Sequence, residues 1–206
     1  MATIEVVAQH GWGFGAWCWD DWRAVMPAGF VLHCLDRGYF GPATTNVPPR
    51  PQILIAHSLG LHLLAPDLAA GAIAIVILGG FRHFHPDDDR LARRSRHVVE
   101  NMALRLEREP WALLADFYAR CGMTENRMQD VINIDRLHED LILLQEHELD
   151  MNFLQTGISV RIIHGVGDRI VPLVKADQLH GLISGSAFTV LPDAGHALPI
   201  THIREC

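Results

Sequence analysis

The chain has little that would staple it together or take it out of water. Its four cysteines, Cys18, Cys34, Cys121 and Cys206, are scattered, with no C-x-x-C pair and no metal-ligand spacing. This excludes a disulfide scaffold or a zinc ribbon as the organising device and fits free thiols in a reducing compartment. No apolar run reaches the ~18 residues a membrane helix needs, so no membrane association is expected. Met1 to Glu5 carry neither a basic segment nor a long apolar one, so no secretory signal is expected and the cytoplasm is the expected location. Positive charge is the scarcer sign. With 17 Lys and Arg against 24 Asp and Glu, the formal net charge is −7, which argues against generic nucleic-acid binding. Internal repeats, low-complexity tracts and linkers are also missing.

What is there is the composition of a globular protein: 206 residues, 49% hydrophobic and 20% charged, enough for one domain with a core of its own. A single domain over 1–206, acting as a monomer, is expected. Short apolar runs rich in β-branched residues predict strands at Ile4 to Ala8, Phe30 to Leu35, Ile53 to Ile55, Ala72 to Leu78, Val160 to His164 and Ala187 to Leu191. Their continuous apolar character marks parallel strands covered on both faces. Helices are expected over Ala16 to Met26, from the end of the third strand to about Leu68, and over Lys175 to Leu182. Thr44 to Arg50 reads as a Pro-rich loop. From Phe81 to about Gln155 strand runs vanish and helical periodicity appears, in Leu104 to Tyr118 and Leu137 to Leu149. The expected architecture is therefore α/β, a mostly parallel sheet of about six strands (1–80 and 156–206) interrupted by a helical lid (81–155). In such open sheets the site lies at the carboxyl ends of the strands.

The chain is organised around Ile53-Leu54-Ile55-Ala56-His57-Ser58-Leu59-Gly60. A strand ends in a small–X–Ser–X–small turn and an apolar helical run follows, the context a nucleophile elbow requires. Ala56 and Gly60 are the small residues, with alanine where glycine is usual. A serine needs a base within hydrogen-bond reach and an acid to orient it, and in the α/β-hydrolases, which this turn resembles, they follow in the order Ser, Asp or Glu, His. Ser58, Asp168 in Gly165-Val166-Gly167-Asp168-Arg169-Ile170-Val171-Pro172, and His196 in Asp193-Ala194-Gly195-His196-Ala197 keep that order. Asp193 is a rival acid, and His164 and His202 are rival bases. The oxyanion donors expected are the backbone N–H groups of Leu59 and of Trp12, the latter in His10-Gly11-Trp12-Gly13 after the first strand. No metal and no cofactor are expected, since His83 and His85 have no second ligand pair at suitable spacing.

With these motifs, and the tail Gly195-His196-Ala197-x-Pro199-Ile200-x-His202, the chain resembles the α/β-hydrolase superfamily from end to end. Within it the resemblance runs to the esterases of biotin synthesis that demethylate pimeloyl-ACP methyl ester. That resemblance implies a Ser–His–Asp triad, no cofactor, and an acyl carrier protein held by lid arginines. The chain departs from the pattern in lacking two strands of the full eight and in Ala56. Arginines crowd 81–110, and forked guanidinium groups suit carboxylates and phosphates. Arg90, Arg94 and Arg105 are the candidates for carrier contact, with Trp111 and Phe117 as candidates for lining an acyl tunnel. The alternative is a solvated face paired with Asp87, Asp88, Asp89, Glu100, Glu107 and Glu109. A small-ester or lactone hydrolase without a carrier, and a catalytically silent binding protein, are the other functional readings.

Overall fold

A computed structural model describes residues 3–44, 47–48, 50–69, 71–124, 129–154 and 157–206. Parts of the Pro-rich loop (45, 46 and 49) and the end of the expected lid (155) lie outside the described residues. The six expected strands are present: β1 (Ile4–Gln9), β2 (Phe30–Leu35), β3 (Ile53–His57), β4 (Ala74–Leu78), β5 (Ser159–Gly165) and β6 (Ala187–Leu191). All pairs are parallel, in the order β2-β1-β3-β4-β5-β6. The registers Gln9↔Ala56, Ala56↔Ile77, His57↔Leu78 and Gly165↔Leu191 bring the strand ends to one edge.

Alternation along each strand sends side chains to opposite faces. Val7, Leu54, Ala56, Ile75, Ile77, Val160 and Ile162 bury on one face, against Leu61, Leu64, Leu68, Ala176 and Leu179. Val6, Ala8, Ile55, Leu78 and Ile163 bury on the other, in a core shared with Trp19, Trp22, Leu113 and Leu137. Each such aliphatic side chain stabilises the fold by roughly 1.5–3 kcal/mol.

The helices depart from expectation where the backbone meets a breaker. Ala16 to Met26 is not one helix: a 3-10 turn covers Ala16–Trp19 and α1 covers Trp22–Val25, with Asp20 and Asp21 between them. Trp19 and Trp22 pack edge to face with ring centroids 5.2 Å apart. The helix after Ser58 does not reach Leu68. Pro66 lacks an N–H and biases Ala65 away from helix, so the run divides into α2 (Gly60–Leu63) and α3 (Pro66–Ala69).

Between β4 and β5 lie α4 (Asp89–Arg108), α5 (Pro110–Cys121) and α6 (Ile134–Glu146). The Asp88 carboxylate caps α4 by accepting from Leu91 N at 2.9 Å. Pro110 separates α4 from α5, which breaks the expected Leu104 to Tyr118 helix in two. Gly122, at φ 86°, ends α5 in the left-handed conformation. Asn133 caps α6 through Arg136 N at 3.0 Å.

Four long-range contacts tie this insertion to the strand-end loops. Arg37 forks onto buried Asp140 with two bonds of 2.7 Å, and Tyr39 Oη donates to the same carboxylate at 2.6 Å. Trp12 Nε1 donates to the Leu137 carbonyl at 2.8 Å. Tyr118 Oη donates to the Gly13 carbonyl at 2.5 Å. Beyond β5 come α7 (Leu173–Leu182) and α8 (Leu198–Thr201). On α7, Lys175 is 3% exposed; its ammonium meets His83 Nε2 at 3.0 Å and the His85 carbonyl, and burial pushes its pKa down.

Candidate active site

Ser58 has φ 54° and is the only non-glycine described residue with positive φ. Such a conformation is costly for a residue with a side chain and persists only where its surroundings enforce it. They do so here. Ser58 N donates to Leu78 O at 2.8 Å, and α2 starts two residues later. A Cβ on Gly60 would stand 2.5 Å from Gln9 O and 2.7 Å from His10 O, so only glycine lets the turn close onto the end of β1. A Cβ on Gly11 would stand 2.8 Å from Ser58 Cβ. Ala56, in the position where glycine is usual, is fully buried in the sheet, so its methyl group is accommodated.

His196 Nε2 lies 3.0 Å from Ser58 Oγ, and His196 Nδ1 lies 2.6 Å from Asp168 Oδ2. Asp168 Oδ1 accepts from Ile170 N and Val171 N, both at 2.8 Å. Burial alone would raise the Asp168 pKa. The charges of His196 and His164 and the Val171 N–H outweigh burial and hold it below the ordinary carboxylate value. An ionised Asp168 fixes the His196 proton on Nδ1, so Nε2 is free to accept from the serine hydroxyl. The loop carrying His196 is seated by close backbone approaches. Ala197 N donates to Cys121 O at 3.0 Å, and a Cβ on Gly195 would stand 2.7 Å from that same oxygen.

The rivals fall elsewhere. Asp193 is 82% exposed at its side chain and faces His202 at 3.6 Å, away from the serine. His164 is fully buried behind the acid: its Nε2 is 2.9 Å from Val171 O and 3.4 Å from Asp168 Oδ2. One participant was missed by sequence reasoning. His57 Nε2 donates to the His196 carbonyl at 2.9 Å, and burial, then the neighbouring His196, lower its pKa and keep it neutral. Its position beside Ser58 was the available signal.

Ser58, Trp12 and Leu59 open onto one cavity of about 430 Å³, whose wall includes Met102, Leu113 and Phe117. Among the described residues the N–H groups of Trp12 and Leu59 make no turn or loop hydrogen bond to a backbone carbonyl. Trp12 and Phe117 meet edge to face at 5.0 Å. A second cavity of about 490 Å³, lined by Val6, Phe30 and Ile53, lies toward the opposite ends of the strands and contains no triad member.

The other expected binding residues divide. Phe117 and Arg105 line the site cavity, but Arg105 is held by Glu109 at 2.7 Å and Asp116 at 2.9 Å. Arg90 and Arg94 are exposed on the first turns of α4, outside the cavity wall. Trp111 is corrected: it is half-buried against the core and does not line the cavity, because α5 turns Leu113 and Phe117 inward instead. Among the described residues no group of three or more His, Cys, Asp or Glu could hold a metal ion. No helix among them is long and apolar enough to cross a membrane.

A parallel sheet with a serine on a strained strand-to-helix turn, facing histidine and aspartate loops from later strands, defines the α/β-hydrolase fold. The solved esterase from Exiguobacterium antarcticum superposes with a TM-score of 0.80, covering 99% of this chain and 88% of that one at 16% identity. Among curated proteins, the chain is similar to the pimeloyl-[acyl-carrier protein] methyl ester esterases of Pectobacterium atrosepticum and Aromatoleum aromaticum. The first is 25% identical over 231 aligned positions, 97% of this chain and 90% of that protein. The second is 24% identical over 252 positions, 100% and 96%. No family model matches the chain.

Proposed function

We propose that the protein is a serine carboxyl-ester hydrolase, with Ser58 as nucleophile, His196 as general base and acid, and Asp168 as the group that orients His196. The reading rests on the continuous chain of contacts Ser58–His196–Asp168, at 3.0 and 2.6 Å, on the strained turn at the cavity floor. Ser58 Oγ attacks the ester carbonyl carbon while its proton passes to His196 Nε2, and the tetrahedral oxyanion receives the N–H groups of Trp12 and Leu59. Collapse expels the alcohol, which takes the proton from His196. Water, deprotonated by the same nitrogen, then attacks the acyl-serine, and the carboxylic acid leaves with Ser58 restored.

The substrate we propose is pimeloyl-ACP methyl ester, with methanol as leaving group. Its support is full-length similarity to two proteins of that name, together with a cavity wall of apolar side chains. On this reading 81–155 acts as a lid, and exposed Arg90 and Arg94 face an acidic carrier protein in the cytoplasm. The test is hydrolysis of pimeloyl-ACP methyl ester beside free dimethyl pimelate, with wild type and Ser58→Ala. Strong preference for the carrier-bound ester, abolished by Ser58→Ala, upholds both parts. Equal turnover of the two esters removes the carrier, and no turnover of either removes the enzyme.

A further inference from the structure

All but one of the 17 basic residues of this chain are arginine, and three of them line the site cavity: Arg105, Arg120 and Arg169. Their situations differ. Arg105 is neutralised by Glu109 and by Asp116, the one acidic residue of the cavity wall among the described residues. Arg120 and Arg169 are exposed at the cavity rim and have no ion-pair partner among the described residues. Both are also rigidly based. Arg169 directly follows Asp168, in a turn closed by Ile170 N and Val171 N on the Asp168 carboxylate. Arg120 occupies the last turn of α5 and directly precedes Cys121, whose carbonyl seats the His196 loop through Ala197 N. Each guanidinium is thus one residue away from an atom that positions the acid or the base. Two cations unpaired among the described residues, at the rim of a mainly apolar cavity, point to one kind of partner, an anion.

We infer that Arg169, together with Arg120, forms an anion-recognition point at the mouth of this site, and that the site favours esters whose non-reacting end carries a carboxylate. The inference rests on the ester-hydrolase part of the reading above and names a substrate class that competes with the carrier-bound ester. A dicarboxylic half-ester with its ester carbonyl at Ser58 Oγ and its aliphatic chain along Met102, Leu113 and Phe117 offers a carboxylate at its far end. A phosphodiester on a carrier arm offers the same charge, so the test must separate the two.

The experiment compares kcat/KM for the monomethyl and dimethyl esters of one straight-chain dicarboxylic acid, and for its carrier-bound methyl ester, in wild type, Arg169→Gln and Arg169→Lys. Calorimetric binding of the monomethyl ester to Ser58→Ala, with and without Arg169→Gln, runs beside it. The expected result is that Arg169→Gln lowers kcat/KM for the monomethyl ester about tenfold, mainly through KM, and affects the dimethyl ester far less. Arg169→Lys restores part of the preference, and added salt shrinks it. Equal use of the two free esters by wild type, or a preference that survives Arg169→Gln, overturns the inference. Loss confined to the carrier-bound ester also overturns it, because the anion is then the carrier's phosphodiester. If none of the three esters is turned over while binding to Ser58→Ala still depends on Arg169, the anion point stands and the hydrolase reading falls.

Discussion

The strand-end loops and the helical insertion solve opposite problems. In the loops, Ser58 is 6% exposed, His196 is 1% exposed and the Asp168 side chain is fully buried. Each is held by backbone hydrogen bonds or by glycines that let backbone pack where a Cβ would clash. In the insertion, the 20-residue helix α4 buries only Val99 and Leu106, and all its arginines except Arg105 are exposed. Reacting atoms are positioned by groups that cannot move independently. On the reading proposed here, carrier contact is left to Arg90 and Arg94, which stand in solvent, while the anion point at Arg169 is built on the same rigid loop as Asp168.

That contrast can be broken or sharpened by measurement. Ser58→Ala is expected to lower kcat on any ester by at least about 10⁴-fold with little change in Tm. Asp168→Asn should cost on the order of 10³–10⁴-fold, because the His196 tautomer is no longer fixed. A loss of only a few-fold in either would show that the loop geometry is structural. Asp140→Ala removes the buried anchor of α6 and leaves Tyr39 without its acceptor; urea denaturation should show a loss of about 3 kcal/mol. Acid should loosen the junction of the two regions next. His62, on the elbow helix, donates through Nε2 to Phe81 O at 3.0 Å and meets His147 Nδ1, just past α6, at 2.8 Å. Burial lowers its pKa from 6.5 to about 4. The unfolded chain therefore binds the proton more tightly than the folded one. Stability is full above pH 6.5 and falls as the pH drops toward 4, a Tm loss of several degrees that His62→Gln should reduce. Smallest of all, Arg105→Gln should leave Tm unchanged within error, since its pairs with Glu109 and Asp116 are solvent-exposed.

The sheet was readable in the residues because its strands are short, apolar and punctuated. β2 and β6 have the expected bounds, and β4 starts two residues late because a turn bond from Ala72 N to Ala69 O takes up its first residues. Order and spacing single out Ser58, Asp168 and His196, each after a strand, and the structure places His196 within hydrogen-bond distance of both Ser58 and Asp168. Partners far apart in sequence were not legible. Arg37 and Asp140 are 103 residues apart, and the only local hint was a carboxylate on the buried stripe Leu137, Leu141 and Leu144. Helix ends were blurred by Pro66 and Pro110, which divide runs that periodicity alone joins. The rim arginines escaped notice because Arg120 and Arg169 lie outside the basic stretch that drew attention.

Lys175 is the only lysine of this chain, and it is closed in by His83 and His85. The folded protein accordingly offers no accessible side-chain amine. Reagents that acylate amines, enzymes that attach acyl groups or small proteins to lysine, and lysine-directed proteases should all pass over it until it unfolds. A mass-spectrometric count of amine labels on Lys175 thus reads the unfolded fraction directly, against a silent background.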